Sequence, residues 1–435
     1  MLLSRYLKVY PYGESDDELL LFSTRKMSKI LLNKETYQAI ENNGGLSASD
    51  EALLSKLGMI VHDREVEKID LFNFLDELNV KNNGLHVIVV LNLDCNFACT
   101  YCYEGGMKGK LYMSDETADN LVDFIKNNFP PHKKSLLIDF FGGEPLLSID
   151  LIKRISQALK SFIESRGASY SFTLVTNGSL FTKKTAEELV ALGLEGVKIT
   201  LDGPAETHNQ SRPFKSGAKS FDTLIKNIKE TCDLVKIGIG GNFTKENYEK
   251  FPLLLDYLAR EGLTPDKIAT VKFDPVMKQP EGNFSPPEYA SGCTSVNEPW
   301  LMGVVAYLRE EILKRGYNTQ KIMPMTCMTE STNSYVVNFD GVIYKCPGFI
   351  GKKGYDVGTL LTGAKDYAAY KPTIWKNEEC SGCEYLPLCY GGCRYMTFLR
   401  TGTIDTVDCQ KAYLDASLET LIKQDIKYKL RADNR

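Results

Sequence analysis

The segment DCNFACTYCYE, residues 94–104, places three cysteines within eight positions: Cys95, Cys99 and Cys102. Thiolates that lie this close together can bind one metal centre. Zinc generally takes four ligands, and no fourth cysteine or histidine stands nearby in the sequence. An iron–sulfur cluster held by three thiolates leaves one iron open to another ligand. The spacing therefore favours such a cluster, with a zinc site completed from a distance as the alternative.

A second group of cysteines follows much later in the chain. Seven of the twelve cysteines lie in this group: Cys327, Cys346, Cys380, Cys383, Cys389, Cys393 and Cys409. A reducing compartment disfavours a disulfide framework, so clustered thiols are expected to be metal ligands. With only four histidines in the chain, imidazole-rich metal sites are improbable. The alternative for this group is a pair of zinc knuckles.

Composition excludes several other classes of protein. The 435 residues are 43% hydrophobic and 25% charged, with a net charge of -4. No basic field is available to attract nucleic acid. The N-terminus MLLSRYLKVYPYGESDD lacks a continuous apolar stretch of the signal-peptide kind, and no apolar run approaches membrane-spanning length. We therefore expect a cytoplasmic protein with no membrane partner.

Alternating strands and helices are predicted to position the first cysteine group. The predicted strands are 86–93, 135–141, 170–176, 196–202, 235–241 and 268–274, and the predicted helices are 115–129, 150–166, 183–192, 221–234 and 247–262. This alternation predicts parallel strands with right-handed helical crossovers. Six such units fit an α/β fold built on a partial (β/α)6 barrel. The three-cysteine segment follows the first strand directly, where a barrel places its site.

The regions on either side of the predicted barrel show a different pattern of predicted secondary structure. Residues 1–85 contain two strand-like runs, ELLLFST and SKILLNK, two helical stretches and the short strand MIVHD, which together predict a winged-helix-like module. Near the other end, YVVNFDGVIYKC predicts a β-hairpin that turns at Asp340-Gly341. We therefore predict four segments: an N-terminal module at 1–85, the barrel at 86–296, a bridging helix at 297–326 and a cysteine-rich domain at 327–435.

Taken together, residues 86–275 resemble the radical S-adenosylmethionine (SAM) enzymes. The cluster motif reads Cys95-x3-Cys99-x2-Cys102, and Tyr101 stands where the family places an aromatic ring against the adenine. After the second strand comes GGEP, where the family binds the SAM amino group; these residues are Gly142, Gly143, Glu144 and Pro145. Glycines suit this position because the backbone must approach the ligand closely.

Further motifs stand at the ends of the later strands. They are TNG at 176–178, TLDGP at 200–204 and GGNFTKEN at 240–247, and Arg212 follows at the spacing where related enzymes hold the SAM carboxylate. The resemblance thus implies SAM contacts at Thr176, Asn177, Thr200, Asp202, Arg212 and Asn242. It also implies that SAM occupies the open iron and that a 5′-deoxyadenosyl radical removes a hydrogen atom from the substrate.

The second cysteine group resembles the SPASM extension, which in related peptide-modifying enzymes carries two auxiliary 4Fe–4S clusters. The resemblance assigns Cys380, Cys383, Cys389 and Cys409 to an outer cluster, and Cys327, Cys346 and Cys393 to an inner one. The total would be three clusters. The fourth inner ligand is either absent, leaving an open iron, or is Cys293. Cys232 is read as a packed apolar side chain.

The same resemblance implies a peptide substrate. The expected function is modification of a ribosomally synthesised precursor peptide, with a thioether or carbon–carbon crosslink as product. The N-terminal module would bind the leader sequence by strand addition, and a reductase, flavodoxin or ferredoxin would supply electrons.

The first alternative function is that of an anaerobic sulfatase-maturing enzyme, although Pro347 stands where that subgroup has an aspartate. The second is a non-catalytic metal-binding scaffold. No catalytic base is assigned from the sequence.

Overall fold

A small antiparallel sheet and three helices open the chain. The computed structural model describes residues 1–13, 17–42, 45–277, 293–324, 326–365 and 367–428. The first elements are β1 (Leu2–Leu3), β2 (Leu7–Tyr12), β3 (Glu18–Ser23), β4 (Lys29–Asn33), α1 (Lys34–Glu41), α2 (Ala48–Lys56), β5 (Ile60–Val61) and α3 (Arg64–Lys81). Strands β2, β3 and β4 pair in that order, and β1 pairs with β5. Strand β2 and the long helix α3 were not predicted.

Parallel strands that alternate with helices form the next part of the chain. The elements are β6 (Gly84–Val90), α4 (Asp115–Asn127), β7 (Ser135–Phe141), α5 (Ile149–Ser165), β8 (Ser169–Thr176), α6 (Lys183–Ala191), β9 (Leu194–Thr200), α7 (Ala205–Ser211), α8 (Phe221–Thr231), β10 (Lys236–Phe243), α9 (Phe251–Arg260), β11 (Thr270–Pro275) and α10 (Pro299–Lys314). All six predicted strands are present, although β6 ends at Val90 rather than at residue 93.

The remaining elements are short until the last helix. They are β12 (Ser334–Val337), β13 (Val342–Tyr344), β14 (Gly358–Thr359), β15 (Gly363–Ala364), α11 (Glu378–Ser381), α12 (Leu386–Cys389), α13 (Arg394–Thr401) and α14 (Lys411–Lys427). Strands β12 and β13 form the predicted hairpin, and Gly341 in its turn has φ +81°. Strand β12 also pairs in parallel with β6, which the sequence did not indicate.

The large sheet has the strand order β11-β10-β9-β8-β7-β6-β12-β13-β14-β15. From β6 to β11 each strand lies beside its predecessor in parallel register, so right-handed crossovers place the connecting helices on one face. Alternate residues such as Val87, Ile138 and Phe172 are fully buried on that face. We call the opposite, half-exposed face the inner face. An α/β fold with a large parallel-rich sheet is therefore confirmed.

Contacts divide the chain into two units. One contains residues 1–81, 321–331 and 371–423, and the other contains 82–320, 332–370 and 424–435. In the first unit, Tyr6, Leu71 and Leu75 share a core with Trp375, Leu386 and Tyr390. The N-terminal segment and a cysteine-rich segment therefore share one core, a relation that hydrophobic patterning alone does not reveal. The winged-helix-like and SPASM descriptions, and the bounds of the four predicted segments, stay predictions.

Candidate functional site

The three-cysteine loop is tied to distant parts of its unit. Backbone hydrogen bonds join Ala98 to Pro213 (2.9 Å) and Thr100 to Ser211 (3.0 Å). The rings of Phe97 and Phe214 pack edge to face with centroids 4.8 Å apart. Cys95 and Cys99 are buried, and Cys102 is partly exposed. Segments more than one hundred residues away therefore hold the loop, in addition to its own short turns.

Lys108 lies beside all three thiols, although the sequence did not single it out. Burial by itself would lower the pKa of this lysine, but negative charge on Cys102, Cys95 and Cys99 raises it above its ordinary value. Burial raises the pKa of the Cys99 thiol to about 11, and binding to a metal deprotonates such a thiol. The three thiols thus lie near Lys108 and near one another, as the ligands of one iron–sulfur cluster would.

The GGEP turn packs against the chain that leads into the cysteine loop. A Cβ atom on Gly143 would lie 2.0 Å from the carbonyl oxygen of Asp94, and one on Gly142 would lie 2.4 Å from that of Asn92. Gly142 also has φ +133°, which favours glycine. Gly143 donates to the Asn92 carbonyl at 3.0 Å. These glycines are required first by the protein's own backbone, whatever contact they make with a ligand.

Glu144 joins the ends of the second and third strands of the radical SAM-like segment. Its buried carboxylate accepts hydrogen bonds from Thr176 Oγ1 (2.7 Å) and from the backbone N–H groups of Asn177 (2.8 Å) and Leu146 (3.0 Å). Burial raises the pKa of Glu144, and these donors oppose that rise. Pro145 begins the short 3-10 turn that follows. The side-chain amide of Asn177 lies 3.8 Å from Cys95 Sγ, so this network reaches the cysteine loop.

A second buried network lies at the ends of β9 and β10. The Tyr101 hydroxyl donates to Asp202, and it accepts from Arg212 Nη1 (2.7 Å) and from Asn242 Nδ2 (2.9 Å). The backbone N–H of Asn242 donates to Asp202 at 2.8 Å. Thr200 ends β9 and pairs with Gly240. The structure therefore brings together four residues predicted from separate motifs.

His208 links this network to Ser220 through hydrogen bonds on both ring nitrogens. Its Nδ1 accepts from the backbone N–H of Asp202 at 3.1 Å, and its Nε2 lies 3.1 Å from Ser220 Oγ. Because Ser220 Oγ donates to the carbonyl of Arg212, it accepts from His208, so Nε2 carries the hydrogen. Burial lowers the pKa of His208 to about 3. A neutral imidazole is thus built into the support of Asp202 and Arg212.

These residues fit a cluster with bound SAM. The buried Nε of Arg212 lacks a hydrogen-bond partner among the described residues, although a guanidinium normally binds an anion such as a carboxylate. Cys95, Cys99 and Cys102 would hold the cluster, while Glu144, Arg212 and the strand-end residues would hold SAM. When bound, the cluster and SAM together would supply a 5′-deoxyadenosyl radical. The residues of the chain would orient SAM and exclude water.

The outer set of cysteines converges in the other unit. The charges of Cys383, Cys380 and Cys409 each raise the pKa of Cys389, which burial raises to about 12. Left-handed backbone at Tyr390, Gly391 and Gly392 (φ 41°, 79° and 69°) makes the tight turn that follows Cys389. A Cβ on Gly392 would lie 2.1 Å from the carbonyl oxygen of Asp408, the neighbour of Cys409. The turn and the last cysteine are thus held together.

Cys327 and Cys393 lie near each other in the same unit, and a buried ion pair connects the segments that follow them. Burial is the main cause that raises the pKa of Cys393, and the charge of Cys327 raises it further. Glu330, three residues after Cys327, binds Arg394 at 2.6 Å, and it accepts the backbone N–H of Thr373 at 2.8 Å. Cys346, the third predicted inner ligand, lies in the other unit, where its charge acts on Tyr103 and Tyr370.

Several thiols accept a backbone hydrogen bond from the residue two positions later. The donors are Phe97 for Cys95, Tyr385 for Cys383, Gly391 for Cys389 and Tyr395 for Cys393. Such bonds favour the thiolate and tune a bound metal centre. Within the described residues, no three His, Cys, Asp or Glu side chains lie close enough to hold one metal ion. The thiolates of a four-iron cluster lie further apart, since each binds a different iron.

The remaining cysteines have other surroundings. Cys293 donates its backbone N–H to Val276 at 2.9 Å, and burial raises its pKa to about 12, with Glu298 and Asp274 nearby. Its assignment as a cluster ligand stays open. Cys232 ends α8 with its thiol 3.7 Å from the Lys229 carbonyl.

Sequence reasoning missed Asn92 and Lys108, and it assigned no role to Glu104. Asn92 Nδ2 donates to the Glu144 carbonyl at 3.1 Å and to Ser148 Oγ at 2.8 Å, which fixes the entry to the loop. Glu104 is buried, and this burial raises its pKa to about 7. Of the three, only Glu104 lies next to the motif in sequence, and no residue pattern separates it from an ordinary loop carboxylate.

A family model supports the class of protein that this fold and site define. Residues 89–258 match the radical SAM superfamily. This segment of the chain is therefore a radical SAM domain. No helix in the described part of the chain combines the length and apolar character needed to cross a membrane.

Curated relatives are similar over parts of the chain. An uncharacterised protein of Methanocaldococcus jannaschii is 34% identical over 43% of this chain and 62% of its own length. The radical SAM cyclopropyl synthase TigE of Paramaledivibacter caminithermalis is 24% identical over 70% of this chain and 66% of its own. The cysteine-type anaerobic sulfatase-maturating enzyme of Clostridium perfringens is 24% identical over 69% of this chain and 86% of its own length. The chain thus spans slightly less than two thirds of the first two relatives.

Solved structures share the fold. The structure of anSMEcpe with bound AdoMet has a TM-score of 0.61 at 19% identity. The match covers 78% of this chain and 98% of the anSMEcpe chain. Streptococcus suis SuiB has a TM-score of 0.53 at 16% identity, and covers 94% of this chain and 99% of that one. SuiB has also been solved with its precursor peptide SuiA, at a TM-score of 0.54.

Proposed function

We propose that this protein is a radical SAM peptide maturase that modifies a ribosomally synthesised precursor peptide by installing a thioether or carbon–carbon crosslink. The observation that carries the proposal is the presence of two groups of neighbouring cysteines in one chain. One is the loop of Cys95, Cys99 and Cys102 beside the Arg212 network; the other is the converging set of Cys380, Cys383, Cys389 and Cys409. A relative named as a PqqA peptide cyclase, from Granulibacter bethesdensis, supports the choice of substrate class.

The proposal includes three 4Fe–4S clusters and SAM as cofactors. Cys95, Cys99 and Cys102 bind the first cluster. Cys380, Cys383, Cys389 and Cys409 bind the outer auxiliary cluster, while Cys327, Cys346 and Cys393 bind the inner one. The SAM contacts are Tyr101, Gly142, Gly143, Glu144, Pro145, Thr176, Asn177, Thr200, Asp202, Arg212 and Asn242. A flavodoxin, ferredoxin or reductase in the cytoplasm delivers the electrons.

The N-terminal sheet is proposed to bind the leader sequence of the peptide. Strand β2 and strand β4 form the two edges of the sheet β2-β3-β4, and an extended peptide can pair with such an edge. The SuiB structure with SuiA supports a precursor peptide as partner in this fold.

Formation of formylglycine on a sulfatase is the second candidate, and the likeness to sulfatase-maturating enzymes favours it. Pro347 after Cys346 cannot act as the base that an aspartate provides there. This difference supports the crosslink proposal over the sulfatase one.

The decisive experiment combines spectroscopy with mass spectrometry. Anaerobically reconstituted protein, reduced with dithionite, should contain about twelve irons and should cleave SAM to 5′-deoxyadenosine. A panel of precursor peptides encoded near its gene and a sulfatase-derived Cys/Ser peptide would then be incubated with it. A loss of two hydrogen masses from a precursor peptide supports crosslinking, whereas modification of the sulfatase peptide alone supports formylglycine formation. Bound iron without any SAM cleavage would favour the non-catalytic scaffold.

A further inference from the structure

A histidine–aspartate pair lies on the inner face of the large sheet, outside every site described so far. His86 Nε2 is 2.7 Å from Asp139 Oδ2, and Thr173 Oγ1 donates to Asp139 Oδ1. These three residues come from the adjacent strands β6, β7 and β8. Thr173 lies directly opposite Asp139 in register, while His86 reaches it diagonally. The sequence gives no hint of the pair because its members stand far apart.

The geometry fixes which nitrogen of the imidazole donates to Asp139. A carboxylate can only accept, so Nε2 carries the hydrogen and donates it to Asp139. Hydrogen bonds from His86 and Thr173 hold the pKa of Asp139 below its ordinary value, although burial alone would raise it. Nδ1 has no hydrogen-bond partner within the residues that the structure describes. In the neutral tautomer this nitrogen is a proton acceptor, and Asp139 aligns the ring.

The pair is open to a ligand. The His86 side chain keeps 36% of its exposure and Asp139 keeps 25%, whereas their strand neighbours Val87 and Ile138 are fully buried against the helices. A shift of register between β8 and β9 falls at Phe172 and Thr173, next to the residue that binds Asp139. Bulges of this kind are frequent beside active sites because they re-aim a side chain.

The pair also lies below the SAM contacts on the same strands. Asp139 comes two residues before the end of β7, so its Cα is roughly 7 Å from that of Phe141 along the strand. The GGEP turn follows immediately at residue 142. Thr173 likewise precedes Thr176, which binds Glu144. The inner face below these contacts therefore carries Asp139 together with its partner His86.

Charged groups on the neighbouring elements are engaged elsewhere. Lys133 binds the carbonyl oxygens of Asn82 and Gly84, each at 3.0 Å, at the start of β6. On the other side, Ser334 of β12 is the register partner of His86, and the ammonium group of Lys345 binds the Ser334 carbonyl. Asp139 is thus the charged group that the structure pairs with the imidazole.

We propose that His86 is the residue that accepts a proton from a substrate thiol, with Asp139 as its positioning residue. The thiol S–H bond breaks, its electron pair stays on sulfur, and the proton binds to Nδ1 to give an imidazolium that Asp139 stabilises. This inference rests on the proposed function, since both candidate reactions can act on a cysteine of the peptide. It supplies the base that Pro347 cannot provide.

The first test uses the holoenzyme without any peptide. Diethyl pyrocarbonate would be added and the modified histidines mapped by mass spectrometry. The exposed His62 and His132 and the buried His208 serve as internal standards. We expect His86 to react with the exposed pair while His208 does not. A His86 ring as inert as His208 would overturn the proposal, because no substrate could reach it.

The second test uses the cysteine peptide that the wild-type enzyme modifies. His86→Gln should lower product formation by about 100-fold or more, yet leave 5′-deoxyadenosine formation within about twofold and iron content unchanged. Asp139→Asn should give a smaller loss and a shifted pH profile. His132→Gln is the matched control and should match the wild type. Product formation by His86→Gln at the wild-type rate would refute the role of His86 as the base and leave the proposed function intact. A wild-type enzyme that modifies no peptide would refute the proposed function itself.

Discussion

The two cysteine regions are positioned by different means. The loop of Cys95, Cys99 and Cys102 is held by long-range contacts to the segment 211–214, to Gly142 and Gly143, and through Asn177 to Glu144. The region 380–409 uses local devices instead: left-handed turns at 390–392, and Asn377, which accepts the Cys380 N–H at 2.8 Å. The first site thus depends on the ends of several strands of the sheet, whereas the second combines its own turns with the core that it shares with the N-terminal segment.

Removing one ligand from the first loop should separate the two regions most completely. Cys99→Ala is expected to lose about four irons and all SAM cleavage, because three thiolates are needed to hold the SAM-binding cluster. The auxiliary iron should stay in place. Iron analysis with Mössbauer spectroscopy and an assay for 5′-deoxyadenosine would measure both effects, and iron equal to the wild-type content would contradict the assignment.

Two glycine substitutions offer a matched comparison. Gly143→Ala would press Cβ against the Asp94 carbonyl at 2.0 Å, and Gly392→Ala would press it against the Asp408 carbonyl at 2.1 Å. We expect the first to abolish SAM cleavage with retention of auxiliary iron, and the second to lose auxiliary iron with retention of the SAM-binding cluster. Electron paramagnetic resonance of the reduced proteins distinguishes the clusters.

The control for this pair is Gly106→Ala, since a Cβ at Gly106 would meet nothing within 4 Å. It lies close to the first cysteine loop and should behave as the wild type. Loss of both kinds of cluster in either variant would show that the two regions fold as one unit.

Breaking the buried ion pair should affect only the cysteine-rich region. Arg394→Met leaves the carboxylate of Glu330 buried without its partner, which typically costs about 3–5 kcal/mol. We expect a lower unfolding temperature and loss of iron near Cys327 and Cys393, with SAM binding retained. Arg394→Lys should recover part of the stability, and so should the double variant Arg394→Met/Glu330→Leu, which removes the unpaired charge.

The smallest expected effect concerns pH. The pKa of His208 is lowered from 6.5 to about 3 in the folded protein, so its contribution to stability is complete above pH 6.5 and declines as the pH falls towards 3. Between pH 7.5 and 5.5 the wild type should lose roughly 1.4 kcal/mol more than His208→Gln. Chemical unfolding of both proteins at the two pH values would measure this, and equal losses would contradict the buried neutral imidazole.

The order of strands and helices could be predicted from residues 86–275 because each element has its own period. Strand β7 matches its predicted bounds of 135–141, and the motifs do stand at the strand ends. Patterning could not predict that β12 pairs with β6, or that Tyr6 and Trp375 share a core. Such contacts join segments hundreds of residues apart, and a local period carries no information about them.

For the candidate site, the sequence by itself predicted which residues would carry the chemistry: the cysteines by their spacing, and Glu144, Arg212 and Tyr101 by their motifs. Only the tertiary structure decided how they act together. It placed Lys108 among the thiols, bound the Tyr101 hydroxyl to Arg212 and Asp202, and paired His86 with Asp139 across neighbouring strands. The physical reason is that residue type and spacing set what a side chain can do, whereas hydrogen bonds and burial between distant strands set its charge, orientation and partners.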